Sequence, residues 1–110
     1  MSGLKSLEYV DLAGIGEGRD LIDVSFLAQN VNIKYLDISN WNSVTDISSL
    51  YKLKKIEFLD VSHTVLNDIN VVTQFNNLKE ISFGGSDDGI NSLRPLFYLQ
   101  NLEKMKILYE

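Results

Sequence analysis

The 110-residue chain contains no cysteine, one proline, one histidine and one tryptophan. Without thiols there is no disulfide to staple a small fold, no thiolate nucleophile and no sulfur ligand for a metal. The single histidine, His63, has no second histidine or cysteine with which to build a metal cluster, and a Ser/His nucleophilic pair has little support. It is expected to be a loop residue. Basic residues are the minority, 10 Lys and Arg against 15 Asp and Glu, giving a formal net charge of −5. That balance disfavours nucleic-acid binding, which needs a basic face. No run approaches the roughly 18 apolar residues of a membrane span. Met1, Ser2 and Gly3 lead straight into patterned sequence, so no signal peptide is expected.

What is present argues for a folded chain: 45% apolar and 23% charged residues, which is too apolar for disorder. The length suits one domain, residues 1–110, without space for two independent cores. Within it an apolar-x-apolar unit returns five times, as Val10-Asp11-Leu12, Leu36-Asp37-Ile38, Leu59-Asp60-Val61, Ile81-Ser82-Phe83 and Met105-Lys106-Ile107. The successive steps are 26, 23, 22 and 24 residues. A recurrence of this length marks a solenoid, whose coils bury their apolar sides only by stacking on one another.

The third repeat shows the pattern most fully: Leu53, Ile56, Leu59, Val61, Thr64, Leu66, Asp68, Ile69, Val72 and Phe75. The repeats fall near residues 4–27, 30–50, 53–75 and 78–99, with a partial one at 102–110. Each opens with period-two alternation, which predicts a short strand. Each continues with apolar residues three apart (Ile47, Leu50, Leu53; Ile69, Val72, Phe75; Leu93, Leu96, Leu99). That spacing predicts a 3₁₀ or short α-helical turn with one side on the core. The expected fold is therefore α/β: about 4.5 coils, a short parallel sheet on the concave face and helical turns on the convex side.

The segment LDISNWNSVTDISSLYKLKKIEFLDVS resembles the leucine-rich repeat, in its 22-residue type with the D-I-S-x-L signature, here Asp46-Ile47-Ser48-Ser49-Leu50. That type occurs in bacterial internalins and in the leucine-rich-repeat regulatory subunit of protein phosphatase 1. The resemblance spans about residues 4–108 and implies a protein-binding scaffold without cofactor or catalysis. An internalin-like setting implies the bacterial surface or secretion; a phosphatase-regulator-like one implies the cytosol. The family places Asn, or Cys, Thr or Ser, after L-x-L-x-x, to satisfy buried backbone groups. Here that position holds Ile15, Trp41, Thr64 and Ser86. Thr64 and Ser86 retain a donor, Ile15 and Trp41 are expected not to serve in the same way, and Asn40 and Asn42 are candidate substitutes. Trp41 itself reads as packing on the core edge.

Alternation turns three columns outward onto the concave sheet. They are Tyr9, Tyr35, Phe58, Glu80 and Lys104; Asp11, Asp37, Asp60, Ser82 and Lys106; and Ala13, Ser39, Ser62, Gly84 and Leu108. The candidate partner-binding residues are Tyr9, Asp11, Tyr35, Asp37, Phe58 and Asp60. Carboxylates on neighbouring strands, about 4.8 Å apart, repel one another by up to about 1 kcal/mol per pair in water-like surroundings. A protein partner bearing Lys or Arg relieves that cost, while the aromatics offer apolar contact or cation–π attraction. Plain solvation of the aspartates is the competing reading.

Other features imitate chemistry. Gly14-Ile15-Gly16-Glu17-Gly18 has Arg19 where a dinucleotide fingerprint needs glycine. Gly84-Gly85-Ser86-Asp87-Asp88-Gly89 lacks the alternating acidic ligands of a calcium loop. Paired carboxylates on an open sheet lack the desolvated pocket that tunes a general acid. No metal, cofactor or enzymatic activity is expected. Only three residues precede Leu4 and two follow Leu108, so neither end has room for a capping helix. Modest stability or end-to-end self-association of the isolated chain is expected. The alternative function is a structural or assembly segment of a longer array, acting through its ends.

Overall fold

A computed structural model describes residues 6–13, 24–41, 44, 46–64, 66, 68–84 and 93–108. Five strands, β1 (Tyr9–Asp11), β2 (Tyr35–Asp37), β3 (Phe58–Asp60), β4 (Glu80–Gly84) and β5 (Lys104–Leu108), form one sheet in the order β1-β2-β3-β4-β5. Every pairing is parallel. On the opposite side run 3₁₀ turns at Ser25–Leu27, Ser48–Lys52, Asn70–Gln74 and Arg94–Tyr98, each packed on the next. The result is a leucine-rich-repeat solenoid with an open sheet.

Backbone chemistry at the head of each strand fixes the register. The Glu8 carbonyl accepts from the N–H groups of both Lys34 (2.7 Å) and Tyr35 (3.0 Å). The Lys34 carbonyl does the same for Glu57 and Phe58, that of Glu57 for Lys79 and Glu80, and that of Lys79 for Glu103 and Lys104. One carbonyl thus clamps two donors of the following coil at every step, so no strand can slip by a residue without breaking two bonds.

Behind the sheet the inward positions stack into continuous files: Leu36, Leu59 and Ile81; Ile33, Ile56 and Leu78; Leu50 and Val72, all with no exposed surface. The D-I-S signature acquires a local reason. Asp46 Oδ1 accepts the Ser48 N–H at 2.8 Å, and Asp68 Oδ1 accepts the Asn70 N–H at 2.7 Å. Each carboxylate caps the start of a 3₁₀ turn, whose first donors have no partner inside it, while Ile47 and Ile69 are buried. The bonds from Ser48 hold the Asp46 carboxyl below its usual range. Its contribution is present above the ordinary carboxylate range and is lost as pH falls through the depressed value.

One expectation is corrected. Ser39, Ser62 and Ser82, read as outward-facing, are buried. Strands β2 and β3 end at the aspartate, so Ser39 and Ser62 already lie in the exit turn, where alternation no longer sets direction. Trp41 supplies a donor in a different way from the family's asparagine: its indole N–H bonds the Leu12 carbonyl one coil back. It does so from a half-buried seat against the core, whereas Thr64 Oγ1 donates within its own coil to the Val61 carbonyl at 2.7 Å. Just before them the chain bends, at Asn40 with φ 68° and at His63 with φ 57°, and the Asn40 N–H donates to the Ser62 carbonyl. Both are residue types that tolerate the left-handed region. At Gly84, φ is 97° and an added Cβ would lie 2.5 Å from the Leu108 carbonyl oxygen; only glycine fits there. Segments 14–18 and 85–89, with Ile15, Asn42 and Ser86, lie outside the described residues.

The files end at β5, where Met105 is 48% and Ile107 36% exposed. Equivalent positions should therefore differ in cost. Leu59→Ala is expected to destabilise by about 2–5 kcal/mol and Met105→Ala by under about 1 kcal/mol, measured by urea unfolding of dilute protein; equal losses would contradict the open end. Trp41→Phe should cost about 1–2 kcal/mol by leaving the Leu12 carbonyl without its donor; a neutral effect in the same assay would remove that bond from the account.

Candidate functional site

The register places Tyr9, Tyr35, Phe58, Glu80 and Lys104 in one row, and Asp11, Asp37, Asp60, Ser82 and Lys106 in another, as alternation predicts. The six candidate residues therefore occupy adjacent rows over β1–β3. Their aromatic members do more than share a column. The Tyr9 and Tyr35 rings stack with centroids 4.1 Å apart and planes 8° from parallel, and Tyr35 stacks on Phe58 at 4.3 Å and 3°.

This geometry changes what the rings offer. Inner faces are closed against one another, so Tyr35 has no free face for a cation. The open surfaces are the ring edges and the outer face of Tyr9, which is 62% exposed. Tyr35 and Phe58 are half-buried. Edges carry the positive part of an aromatic quadrupole, so the attraction for cations comes from the neighbouring carboxylates rather than from the stack.

The aspartates also hold the backbone. Asp11 Oδ1 accepts the Ala13 N–H at 3.0 Å, Asp37 Oδ1 the Ser39 N–H at 2.9 Å, and Asp60 Oδ1 both the Ser62 N–H (2.9 Å) and hydroxyl (2.7 Å). Each is an Asx turn that steers the chain out of its strand. Solvation and recognition leave this role unmentioned, although Asp two residues before a turn residue was the signal for it. A further row escaped the sequence reading: Glu8, Lys34, Glu57, Lys79 and Glu103 alternate in sign beside the aromatic column. Lys34 meets Glu8 and Lys79 meets Glu57, each at 3.9 Å between exposed groups, which contributes little to stability. His63 lies in a turn beyond β3, as expected.

Burial in the stack, the hydrogen bond its side chain makes with Tyr9, and the charges of Tyr9, Asp37 and Asp11 push the Tyr35 phenol up from its usual 10.0 to about 12. The neutral phenol is thus favoured by the fold. Its contribution is complete below about pH 10 and is lost as pH rises toward 12. An alkaline absorbance titration of the five tyrosines should show a late-ionising component that Tyr35→Phe removes. A titration curve unchanged by that substitution would contradict the stacked environment.

No protein-family model matches the chain. The leucine-rich repeat and WD repeat-containing protein 1 of Xenopus laevis is 29% identical over 82 residues, covering 74% of this chain and 11% of that protein. Among solved structures, internalin C2 of Listeria monocytogenes superposes with a TM-score of 0.78 at 25% identity, covering 97% of this chain and 54% of its own. Internalin InlF of the same organism gives 0.70 at 18% identity, over 99% and 37% of the two chains. The functional domain of Listeria InlJ, which includes a cysteine ladder, gives 0.67 at 19% identity, over 94% and 20%. The chain thus spans about half of internalin C2 and about a tenth of the Xenopus protein. With its parallel one-strand-per-coil sheet and its 3₁₀ convex turns, the chain has the leucine-rich-repeat fold and is similar in it to the internalins.

Proposed function

We propose that the chain is a non-enzymatic protein-interaction module whose concave sheet receives a partner segment bearing Lys or Arg, at Tyr9, Asp11, Tyr35, Asp37, Phe58 and Asp60. The observation that carries the reading is the pairing in register of an aromatic stack with a row of carboxylates. Leucine-rich repeat proteins generally act in protein–protein interaction, and an open sheet suits that role better than catalysis, which draws on a desolvated pocket.

The chemistry of the contact follows from how the groups are used. One carboxylate oxygen of each aspartate, Oδ1, holds its own backbone, and a partner's donor is met by the charge of the carboxylate through its other oxygen. A guanidinium forks onto carboxylates across neighbouring strands, while its aliphatic stem lies along the ring edges. Stacking also pre-orders the aromatics, so little side-chain entropy is lost on binding. Rigid rings beside fixed charges give selectivity for basic over acidic segments.

The test must spare the Asx turn. Tyr35→Ala combined with Asp37→Asn removes a ring and a charge yet keeps an amide oxygen to accept the Ser39 N–H. Against a partner recovered by pull-down, this double variant should lose about 30-fold or more in affinity by calorimetry, the scale of a binding hot spot. Added salt should weaken the wild-type complex. Unchanged affinity in a variant with a wild-type circular dichroism spectrum would refute the assignment.

A further inference from the structure

From β1 to β5 the acidic row of the concave sheet changes sign. Asp11, Asp37 and Asp60 are followed by Ser82, uncharged and buried, and then by Lys106, which is exposed. In the aromatic column Lys104 lies beside Glu80, an opposite charge. Lys106 lies beside Ser82 and makes no ion pair among the described residues. Its place on the concave face follows from the register with β4 and holds whatever adjoins β5. Solubility does not account for it, because the chain already carries a net charge of −5 and a lysine there reduces that magnitude.

We infer that Lys106 is a second anchor of the concave face and receives an acidic residue of the partner segment. That segment therefore carries Lys or Arg at one end and Asp or Glu at the other. Lys106 acts in this way only where the aspartates hold a basic stretch, as proposed above. Strands β2 and β5 are separated by three strand steps, about 14 Å at roughly 4.8 Å per step. An extended segment crossing the sheet advances about 3.3 Å per residue, so its acidic residue falls about four positions from the basic residue at Asp37. A uniformly basic segment meets attraction at β1–β3 and repulsion at Lys106. One with sorted charges meets attraction at both places, and reversing it brings like charges together at both. The β5 strand thus weakens uniformly basic competitors and sets the direction of a segment that carries both signs.

Net charge alone predicts the opposite preference. If only the overall field of the chain mattered, the more positive of two peptides would bind more tightly. Calorimetry with two synthetic peptides separates the cases. One carries a Glu pair about four positions from an Arg pair in a Ser/Gly chain; the other has Gln in place of each Glu. The sorted peptide, although less positive, should bind about fivefold or more tightly, the scale of one close charge pair in water-like surroundings. Lys106→Glu, at an exposed position, should reverse that order while the circular dichroism spectrum stays that of the folded chain. Equal or tighter binding of the Gln peptide to the wild type, or an order that survives Lys106→Glu, would overturn the inference. Binding of the Gln peptide that Asp37→Asn weakens would in that event still support the basic-segment reading. Binding of neither peptide at millimolar concentration would overturn both.

Discussion

Everything in this molecule hangs on the one-carbonyl, two-donor clamp that passes from Glu8 to Lys34 to Glu57 to Lys79. A parallel sheet with one strand per coil has a single degree of freedom that matters, the register between neighbours, and this clamp removes it. Once register is fixed, every column of side chains is brought to strand spacing, about 4.8 Å, whatever its chemistry. Apolar columns gain by this and become the core. Aromatic columns gain by stacking, since the ring separation of 4.1–4.3 Å lies close to what the strands impose. Acidic columns lose by repulsion, and they persist here because each carboxylate also captures a backbone N–H at its strand exit. Removing an aspartate would therefore exchange one cost for another.

That economy explains what could be read from the sequence. The columns Tyr9, Tyr35, Phe58 and Asp11, Asp37, Asp60 were legible because period-two alternation and a repeat near 23 residues together determine strand, face and register. The core files were legible for the same reason. Alternation says nothing about where a strand stops, and so Ser39 and Ser62 were placed on the surface, although β2 and β3 contain only three residues and the serines turn inward. Nor does it describe a ring's tilt. The sequence put three aromatics side by side, but only coordinates show that they present edges rather than faces.

Trp41 illustrates a subtler limit. A consensus names the residue types that fill a position; the physical requirement is a donor within reach of an otherwise unsatisfied carbonyl. Thr64 meets the requirement locally, at Val61, and Trp41 meets it across the coil boundary, at Leu12. A large indole reaches a neighbour that a short amide could not. The departure from the repeat pattern is thus a different solution to the same accounting problem. It was invisible from the sequence because spacing records residue identity and not reach.

The concave rows also carry a direction. From β1 to β3 they are aromatic and acidic; at β4 they pass through Glu80 and Ser82; at β5 they become Lys104 and Lys106. A repeat protein that merely needed solubility would gain nothing from sorting its charges along the axis. Sorting along the axis gives the concave sheet an acidic side over β1–β3 and a basic side at β5, so a segment laid across the strands is matched in one direction only, when its own charges are sorted the opposite way.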